Sequence, residues 1–116
     1  MLRAVSQLLQ RHPAVVLALR INSGAAVDES GRPIWFHRLL RGRGVVTDFV
    51  GLMRVDAGVV PFALEAKRPG WVQGKANGAT RIREDAQQWF IEDVVAHGGR
   101  GGFVTSVEQA LAVLGP

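Results

Sequence analysis

The stretch Val59-Val60-Pro61-Phe62-Ala63-Leu64-Glu65-Ala66-Lys67 places two opposite charges at the end of an apolar segment. In a β-strand, successive side chains point to opposite faces, so Glu65 and Lys67 share one face and Ala66 lies on the other. An acid and a lysine on a mostly buried strand are costly unless a partner pairs with them. A divalent metal ion together with a phosphate group would pair with both charges. The stretch therefore points to the chemistry of phosphodiester cleavage.

A second apolar segment precedes this stretch, and the two together predict a hairpin. The segments are Val45–Val55 and Val59–Lys67, separated by turn residues. A two-residue loop, Asp56-Ala57, would place Asp48 directly opposite Glu65. Opposed residues lie on one face with Cβ atoms about 5 Å apart, where two like charges repel. A cation between them would remove that repulsion, whereas a three-residue loop would shift the register by one residue unless a bulge restored it.

Two facing carboxylates form a candidate magnesium site. Mg²⁺ prefers oxygen ligands and keeps several waters, so Asp48, Glu65, the backbone carbonyl of Ala66 and waters would be enough to hold it. The metal would activate a bound water and neutralise phosphate charge. Lys67 would orient that water or stabilise the charged transition state. An acid-X-lysine triplet is also common by chance as a surface ion pair, and Asp48 on the partner strand is what favours the metal site.

The composition fits one small α/β or α+β domain over 1–116. The chain has 116 residues, 47% of them hydrophobic, which predicts one packed core. The absence of cysteine excludes disulfides and Cys-based zinc sites. The longest apolar run, 14–19, is too short to cross a membrane, so no membrane partner is expected. No apolar leader follows Met1, and the expected location is the cytoplasm.

The hydrophobic pattern predicts the element order α-β-β-β-β-α-β-α. Helices are expected at Leu2–Arg11, at Arg81–His97, with Ile82, Phe90, Ile91, Val94 and Val95 as its apolar face, and after Ser106, which caps the last helix in a capping box with Gln109. Strands are expected at 14–21, 34–40, 45–55, 59–67 and 103–105. A turn is expected at Asn22-Ser23-Gly24, a mobile glycine-rich loop at 69–80, and core positions for Trp35 and Trp89.

The charge distribution suits a polyanionic partner. The formal net charge is +4, and five arginines and His37 lie between Arg32 and Arg54 against the single acid Asp48. Arg41 and Arg43 flank glycines in a loop, where guanidinium and backbone could reach phosphate. Lys75 and Trp71 lie in the glycine-rich loop, where Trp71 would either stack on an unpaired base or anchor the loop. A solvated basic face explains the charge equally well.

Several blocks together resemble the VRR-NUC domain of the PD-(D/E)XK nuclease superfamily. They are Arg20-Ile21-Asn22-Ser23-Gly24, Gly44-Val45-Val46-Thr47-Asp48-Phe49-Val50-Gly51, Phe62-Ala63-Leu64-Glu65-Ala66-Lys67-Arg68-Pro69-Gly70, Gln87 ahead of Gly98-Gly99, and Phe103-Val104-Thr105-Ser106. Their order and spacing carry the resemblance, which covers nearly the whole chain.

The resemblance implies a restriction-endonuclease-like core, in which helices flank a central mixed sheet, and Mg²⁺- or Mn²⁺-dependent hydrolysis of DNA. Free-standing members, often phage-encoded, are similar to structure-specific nucleases that cut branched or junction DNA as homodimers. Asp48, Glu65 and Lys67 match the family's catalytic triad, and Gln87 matches a helix glutamine near the active site. The family pattern also brings Arg20 and Asn22 close to the DNA.

The sequence departs from the family pattern at two positions. Thr47 stands where the family often has proline, which is not itself a ligand. Family members also carry a glutamate on the first helix, whereas Leu2–Arg11 contains no acid. That glutamate would fall at or just before Met1, so either the chain as given starts late or the residue is lacking. The departure leaves two alternatives open: a DNA-binding module of the same fold with weak or no catalysis, and a metal-free scaffold whose acids pair with arginines.

Overall fold

The computed structural model describes residues 1–21, 25–27, 29–31, 33–35 and 39–115. In chain order its elements are α1 (Leu2–Arg11), β1 (Val15–Arg20), β2 (Ala25–Val27), β3 (Pro33–Trp35), β4 (Phe49–Val55), β5 (Gly58–Ala66), α2 (Gly78–Ala96), β6 (Arg100–Val104) and α3 (Val107–Leu114). They form an α+β domain with a mixed sheet. The α+β class was predicted from the hydrophobic pattern, and the mixed sheet is what the family resemblance implies.

The main sheet has the strand order β1-β4-β5-β6. β1 pairs with β4 and β4 with β5 in antiparallel fashion, whereas β5 and β6 are parallel. Parallel pairing needs a long crossover, and α2 supplies it between β5 and β6. β2 and β3 pair separately as a two-stranded hairpin. β5 is therefore an interior strand, and its last residues, Glu65 and Ala66, extend past the start of β4 and pair with β6.

The predicted hairpin register is confirmed. Val55 pairs with Gly58, and the ladder continues to Phe49 opposite Leu64, which leaves Asp48 at the next position, opposite Glu65. β4 itself begins at Phe49, so the prediction that the strand starts at Val45 was wrong. The start of the segment 45–48 is instead bonded to α2, because the N–H of Val45 donates to the Ala86 carbonyl over 3.1 Å.

The main core lies on one face of this sheet, beneath α1 and α3. The amphipathic pattern of the first helix is confirmed, because Val5 and Leu9 are buried against the sheet. Each large side chain buried in this way contributes roughly 1.5–3 kcal/mol. The buried cluster consists of Val5, Leu9, Phe49, Met53, Phe62, Leu64, Val104, Ala110 and Leu114.

The last helix begins as predicted. The Ser106 hydroxyl accepts from the N–H of Gln109 over 3.1 Å. The Gln109 side chain completes the cap by accepting from the N–H of Thr105 over 2.6 Å, one residue before the usual partner.

Other predicted boundaries and burials were wrong. Of the strand expected at 34–40, residues 34–35 lie in β3 and residues 39–40 are not in a strand. β2 was missed because three residues show too little alternation. α2 begins at Gly78 and β6 at Arg100, each three residues before the prediction. Trp89 is 48% exposed and is not a core residue. The turn at 22–24, residues 36–38 and the Trp35 side chain lie outside the part of the chain that the structure describes.

His12 joins the end of α1 to the end of α3. Its side chain is 7% exposed. Nδ1 accepts from the N–H of Ala14 over 3.1 Å, and Nε2 lies 2.9 Å from the carbonyl of Gly115. These two contacts define the neutral tautomer with the proton on Nε2, which donates to Gly115.

We expect His12→Ala to lower the free energy of unfolding by about 1–3 kcal/mol, because it removes a buried side chain and leaves a part-buried carbonyl and a part-buried N–H unpaired. Urea denaturation of His12→Ala and of Arg11→Ala, which changes the exposed neighbouring residue, measures the difference. Equal stability of the two variants would contradict the structural role of this histidine.

Candidate metal centre

The side chains of Asp48 and Glu65 lie beside one another at the end of the β4–β5 hairpin. The N–H of Asp48 donates to Glu65 Oε1 over 2.9 Å, and the N–H of Ala66 donates to Asp48 Oδ2 over 3.0 Å. Each carboxylate is thus held by the backbone of the opposite segment. This exchange fixes both carboxylates on one side of the sheet, as the register predicts.

Glu65 is held in an environment that opposes its ionisation. Its side chain is buried, with the residue only 6% exposed. Burial, followed by the negative charge of Asp48, raises the pKa of Glu65 to about 8, although Lys67 acts in the opposite direction. The charge of Lys67 thus does not offset burial and the repulsion from Asp48, and a further cation beside the two carboxylates would relieve that repulsion.

The donor set fits a hard divalent cation held by few protein ligands. Carboxylate oxygens are the ligands that Mg²⁺ prefers, and Mg²⁺ retains waters at its other positions. Within the described residues, no cluster of three or more histidine, aspartate or glutamate side chains is suited to hold a metal. Asp48 and Glu65 would hold such a cation together with waters. Ala66 lies next to the two carboxylates, because its N–H donates to Asp48 Oδ2. The role of its backbone carbonyl as a metal ligand stays a prediction.

Lys67 lies next to this carboxylate pair. Its Nζ is 3.8 Å from Glu65 Oε2 and donates to Gln87 Oε1 over 3.1 Å. The rings of Trp71 and Phe103 flank the same ammonium group, each with its centroid 5.6 Å from Nζ. Cation–π contacts of this kind hold a lysine that is mostly removed from water. The lysine is therefore positioned by an acid, an amide and two aromatic rings.

α2 presents a polar strip to the sheet. Its buried residues are Glu84, Gln87 and Ile91, at helical spacing. The predicted apolar face was wrong in part, because Ile82 is strongly exposed and Val95 is half exposed. The polar strip brings Gln87, which is 2% exposed, to Lys67. The acids Glu84 and Asp85 lie beyond the first turn of this helix, which contains no acidic residue.

Three side-chain hydrogen bonds tie the glycine-rich segment 68–77 to α2, where a mobile loop was predicted. They are Trp71 Nε1 to Glu84 Oε2 over 2.9 Å, Gln73 Nε2 to Gln88 Oε1 over 3.0 Å, and Arg81 Nη1 to the Gly74 carbonyl over 2.7 Å. Trp71 also packs on Phe103 with ring centroids 4.9 Å apart. Trp71 is thus an anchor of this segment. Phe103 and Glu84 were not predicted from the sequence as residues of this site. Glu84 could have been found from its helical spacing to Gln87 and Ile91, which places all three on one face of α2.

The backbone around Asp48 is fixed from three sides. The N–H of Ile21 donates to the Asp48 carbonyl over 2.7 Å, which ties the end of β1 to this residue. The hydroxyl of buried Thr47, the residue in place of the family's proline, donates to the Phe49 carbonyl over 3.1 Å. Gly44 lies against the backbone of α2 with φ of +85°. A side chain at that position would collide with the Ala86 carbonyl.

We expect Gly44→Ala to destabilise the fold by about 3 kcal/mol or more, because strain at positive φ adds to the collision with α2. Gly42→Ala is the matched control, since Gly42 also has positive φ but an added Cβ meets nothing within 4 Å. Thermal unfolding of both variants measures the difference. A loss of stability no larger in Gly44→Ala than in Gly42→Ala would contradict the packing of this segment on α2.

The residues predicted to contact DNA do not form one surface. Arg20 pairs with Phe49, so it lies on the face of the sheet that packs on α1, opposite the carboxylates. Arg41 is exposed. The guanidinium of Arg43 pairs with Asp93 over 2.7 Å at the exposed surface. Lys75 is exposed and lines a cavity together with Lys67. Asn22 lies outside the described residues.

Comparison with known proteins gives no match, whether with protein-family models, curated proteins or solved structures. The resemblance to the VRR-NUC domain therefore remains a prediction based on the order of motifs. In the part of the chain that the structure describes, no helix combines the length and the apolar character that crossing a bilayer requires.

Proposed function

We propose that this chain is a divalent-metal-dependent DNA endonuclease of the VRR-NUC type, with a restriction-endonuclease-like core. The observation that carries the proposal is the pairing of part-buried Asp48 with buried Glu65, with Lys67 Nζ 3.8 Å from the Glu65 carboxylate. A desolvated carboxylate with a raised pKa, such as Glu65, next to a second acid and a lysine is typical of catalytic sites. The expected reaction is hydrolysis of a phosphodiester bond.

The roles of the side chains follow from their chemistry. Asp48 and Glu65 would hold Mg²⁺ or Mn²⁺, which supplies an activated water and neutralises phosphate charge when bound. Lys67 orients the attacking water and stabilises negative charge that develops on the phosphate. Gln87 holds Lys67 Nζ in place by accepting its hydrogen bond. Trp71 and Phe103 limit the access of bulk water to this lysine.

The proposed substrate is branched or junction DNA, cut by a homodimer. The net charge of +4 and the exposed cations Arg41 and Lys75 favour a polyanion. Two-fold symmetry would let one small domain cut two strands. The proposed cellular location is the cytoplasm, where such DNA is accessible.

A DNA-binding module with weak or no catalysis is the second candidate. It is favoured by the small number of acids, since α1 contains none and no third acid joins the pair within the described residues. The metal-free scaffold is less well supported, because the charges that shift the pKa of Glu65 belong to Asp48 and Lys67 and not to an arginine.

Incubation of the purified protein with branched, flapped and linear DNA distinguishes these candidates. The nuclease proposal predicts cleavage with Mg²⁺ or Mn²⁺ that EDTA abolishes. Binding by gel shift without cleavage would support the module, and the absence of both would support the scaffold. Replacement of Asp48 by Asn in parallel separates cleavage at this centre from cleavage by a contaminant.

A further inference from the structure

A cavity of about 470 Å³ lies between the segment 67–76 and the beginning of α2. Its size is within the range of small-ligand sites, about 300–1,000 Å³. It shares Lys67 with the candidate metal centre. Five of its lining residues carry the argument: Lys67, Arg68, Trp71, Lys75 and Glu84.

One end of this cavity favours negative charge. α2 starts at Gly78, and Asn77 before it makes no side-chain capping bond to the helix. The N–H groups of the first turn therefore lack a side-chain cap, and no acidic residue of that turn opposes an anion. Lys75 and Arg68 are exposed and line the same cavity. A helix N-terminus with adjacent cations is suited to bind a phosphate group.

The floor of the cavity has the opposite character. Glu84 is 6% exposed, and its Oε2 accepts the hydrogen bond from Trp71. The other carboxylate oxygen, Oε1, is buried and has no hydrogen-bond partner among the described residues. A buried acceptor without a partner is costly, so a ligand N–H donor that Oε1 reaches by a rotation of the Glu84 side chain would stabilise it.

The two ends together exclude simple ions as ligands. An inorganic anion would meet the charge of Glu84, and a simple cation would meet three basic side chains. A nucleotide carries both a phosphate and, on adenine, cytosine or guanine, an amino donor. Trp71 adds an aromatic wall of the kind on which bases stack.

We propose that this cavity binds one unpaired nucleotide of a DNA strand, with its phosphate near Lys75 and the start of α2 and its amino-bearing base at Glu84. The inference rests on the proposed function, because Lys67 places this nucleotide next to the phosphate to be cut. The nucleotide is unpaired because base pairing in a duplex would occupy the amino group. Recognition of this kind directs the centre to flaps and junctions rather than to continuous duplex.

Binding of single-stranded octamers in EDTA tests the assignment without any cleavage. The wild-type protein is expected to bind an adenine octamer at least about fivefold more tightly than one of purine 2′-deoxyriboside, which lacks only the amino group. Glu84→Gln keeps an oxygen for Trp71 and puts an amide N–H₂ in place of the unpartnered Oε1. This variant should lose the preference for adenine and bind a thymine octamer more tightly than the wild type does.

Two further variants separate the contribution of the base contact to binding from that of the phosphate contact. Glu108→Gln, an exposed change on α3, should leave every preference unchanged. Lys75→Ala should weaken all octamers equally and reduce the salt dependence by about one phosphate contact. Equal affinity of the wild type for adenine and purine octamers would overturn the base contact, and this comparison needs no variant to fold.

Three further outcomes distinguish a free nucleotide from a DNA strand as the ligand, and separate the nucleotide site from the nuclease proposal. Binding of deoxyadenosine monophosphate as tight as that of the octamer would assign the cavity to a free nucleotide and overturn the DNA strand. An unchanged base preference in folded Glu84→Gln would overturn the role of Glu84 even if the protein cleaves DNA. A reversed preference without cleavage under Mg²⁺ would support the nucleotide site and contradict the nuclease proposal.

Discussion

Lys67→Ala is expected to lower the metal-dependent cleavage rate by about 10²–10³-fold, the usual effect of removing one group that stabilises transition-state charge. Lys67 Nζ donates to Gln87 over 3.1 Å and lies 3.8 Å from Glu65. Among the described residues no other lysine contacts these two side chains, so none would replace its ammonium group. The effect should fall on kcat, because Lys67 acts on the reacting phosphate and not on binding of the DNA as a whole.

Lys75→Ala is the matched control for this variant, since Lys75 is exposed and lies farther along the same cavity. It should raise KM with little change in kcat. Single-turnover and steady-state cleavage of one flapped DNA measures both constants, and circular dichroism verifies that each variant is folded. A Lys67→Ala protein that keeps more than about a tenth of wild-type kcat would contradict the assigned role.

Glu65→Gln is expected to stabilise the metal-free protein at high pH while abolishing its response to metal. The pKa of Glu65 is raised from its ordinary 4.5 to about 8, so between these values the folded protein keeps a proton that the unfolded chain releases. Stability from this group is complete below pH 4.5 and is lost as the pH rises through 8, by on the order of 3–5 kcal/mol. Glutamine remains neutral and avoids that loss.

Urea denaturation of wild type and Glu65→Gln in EDTA at pH 5, 7 and 9 measures this divergence. Added Mg²⁺ or Mn²⁺ should stabilise the wild type at pH 8, by about 3 kcal/mol at a hundred times the dissociation constant, and should not stabilise the variant. Glu108→Gln, on the exposed surface of α3, controls for the loss of one negative charge. Wild-type stability that is flat from pH 5 to 9, or an equal metal response in both proteins, would contradict the carboxylate pair as a metal site.

The hairpin could be predicted from sequence because its register depends on local chemistry. A two-residue turn places Val55 opposite Gly58, and counting back from this pair gives the other opposed residues of the ladder. The strand start could not be found in this way. Val45 has the same apolar character as a strand residue, but its N–H bonds a carbonyl of α2 that is 41 positions away in the chain.

The surroundings of Lys67 were less accessible to sequence reasoning. Its neighbour Glu65 follows from alternation within one strand, whereas Phe103 comes from β6, which reaches it only through the crossover formed by α2. The buried face of α2 was misjudged because Glu84 and Gln87 are polar and apolar residues were assumed to face the sheet. The helical spacing of Glu84 and Gln87 to Ile91 was the sequence feature that indicates this face, which is turned toward a polar site.

The most direct test of a nuclease centre at Asp48, Glu65 and Lys67 is the initial rate of cleavage of a flapped DNA against Mn²⁺ or Mg²⁺ concentration. Wild type, Lys67→Ala and Glu65→Gln are purified in the same way and compared. We predict a saturable metal-dependent rate for the wild type and a loss of at least about 10²-fold for both variants. Cleavage that persists in the variants, or a wild type that binds the DNA and never cuts it, would contradict the assignment.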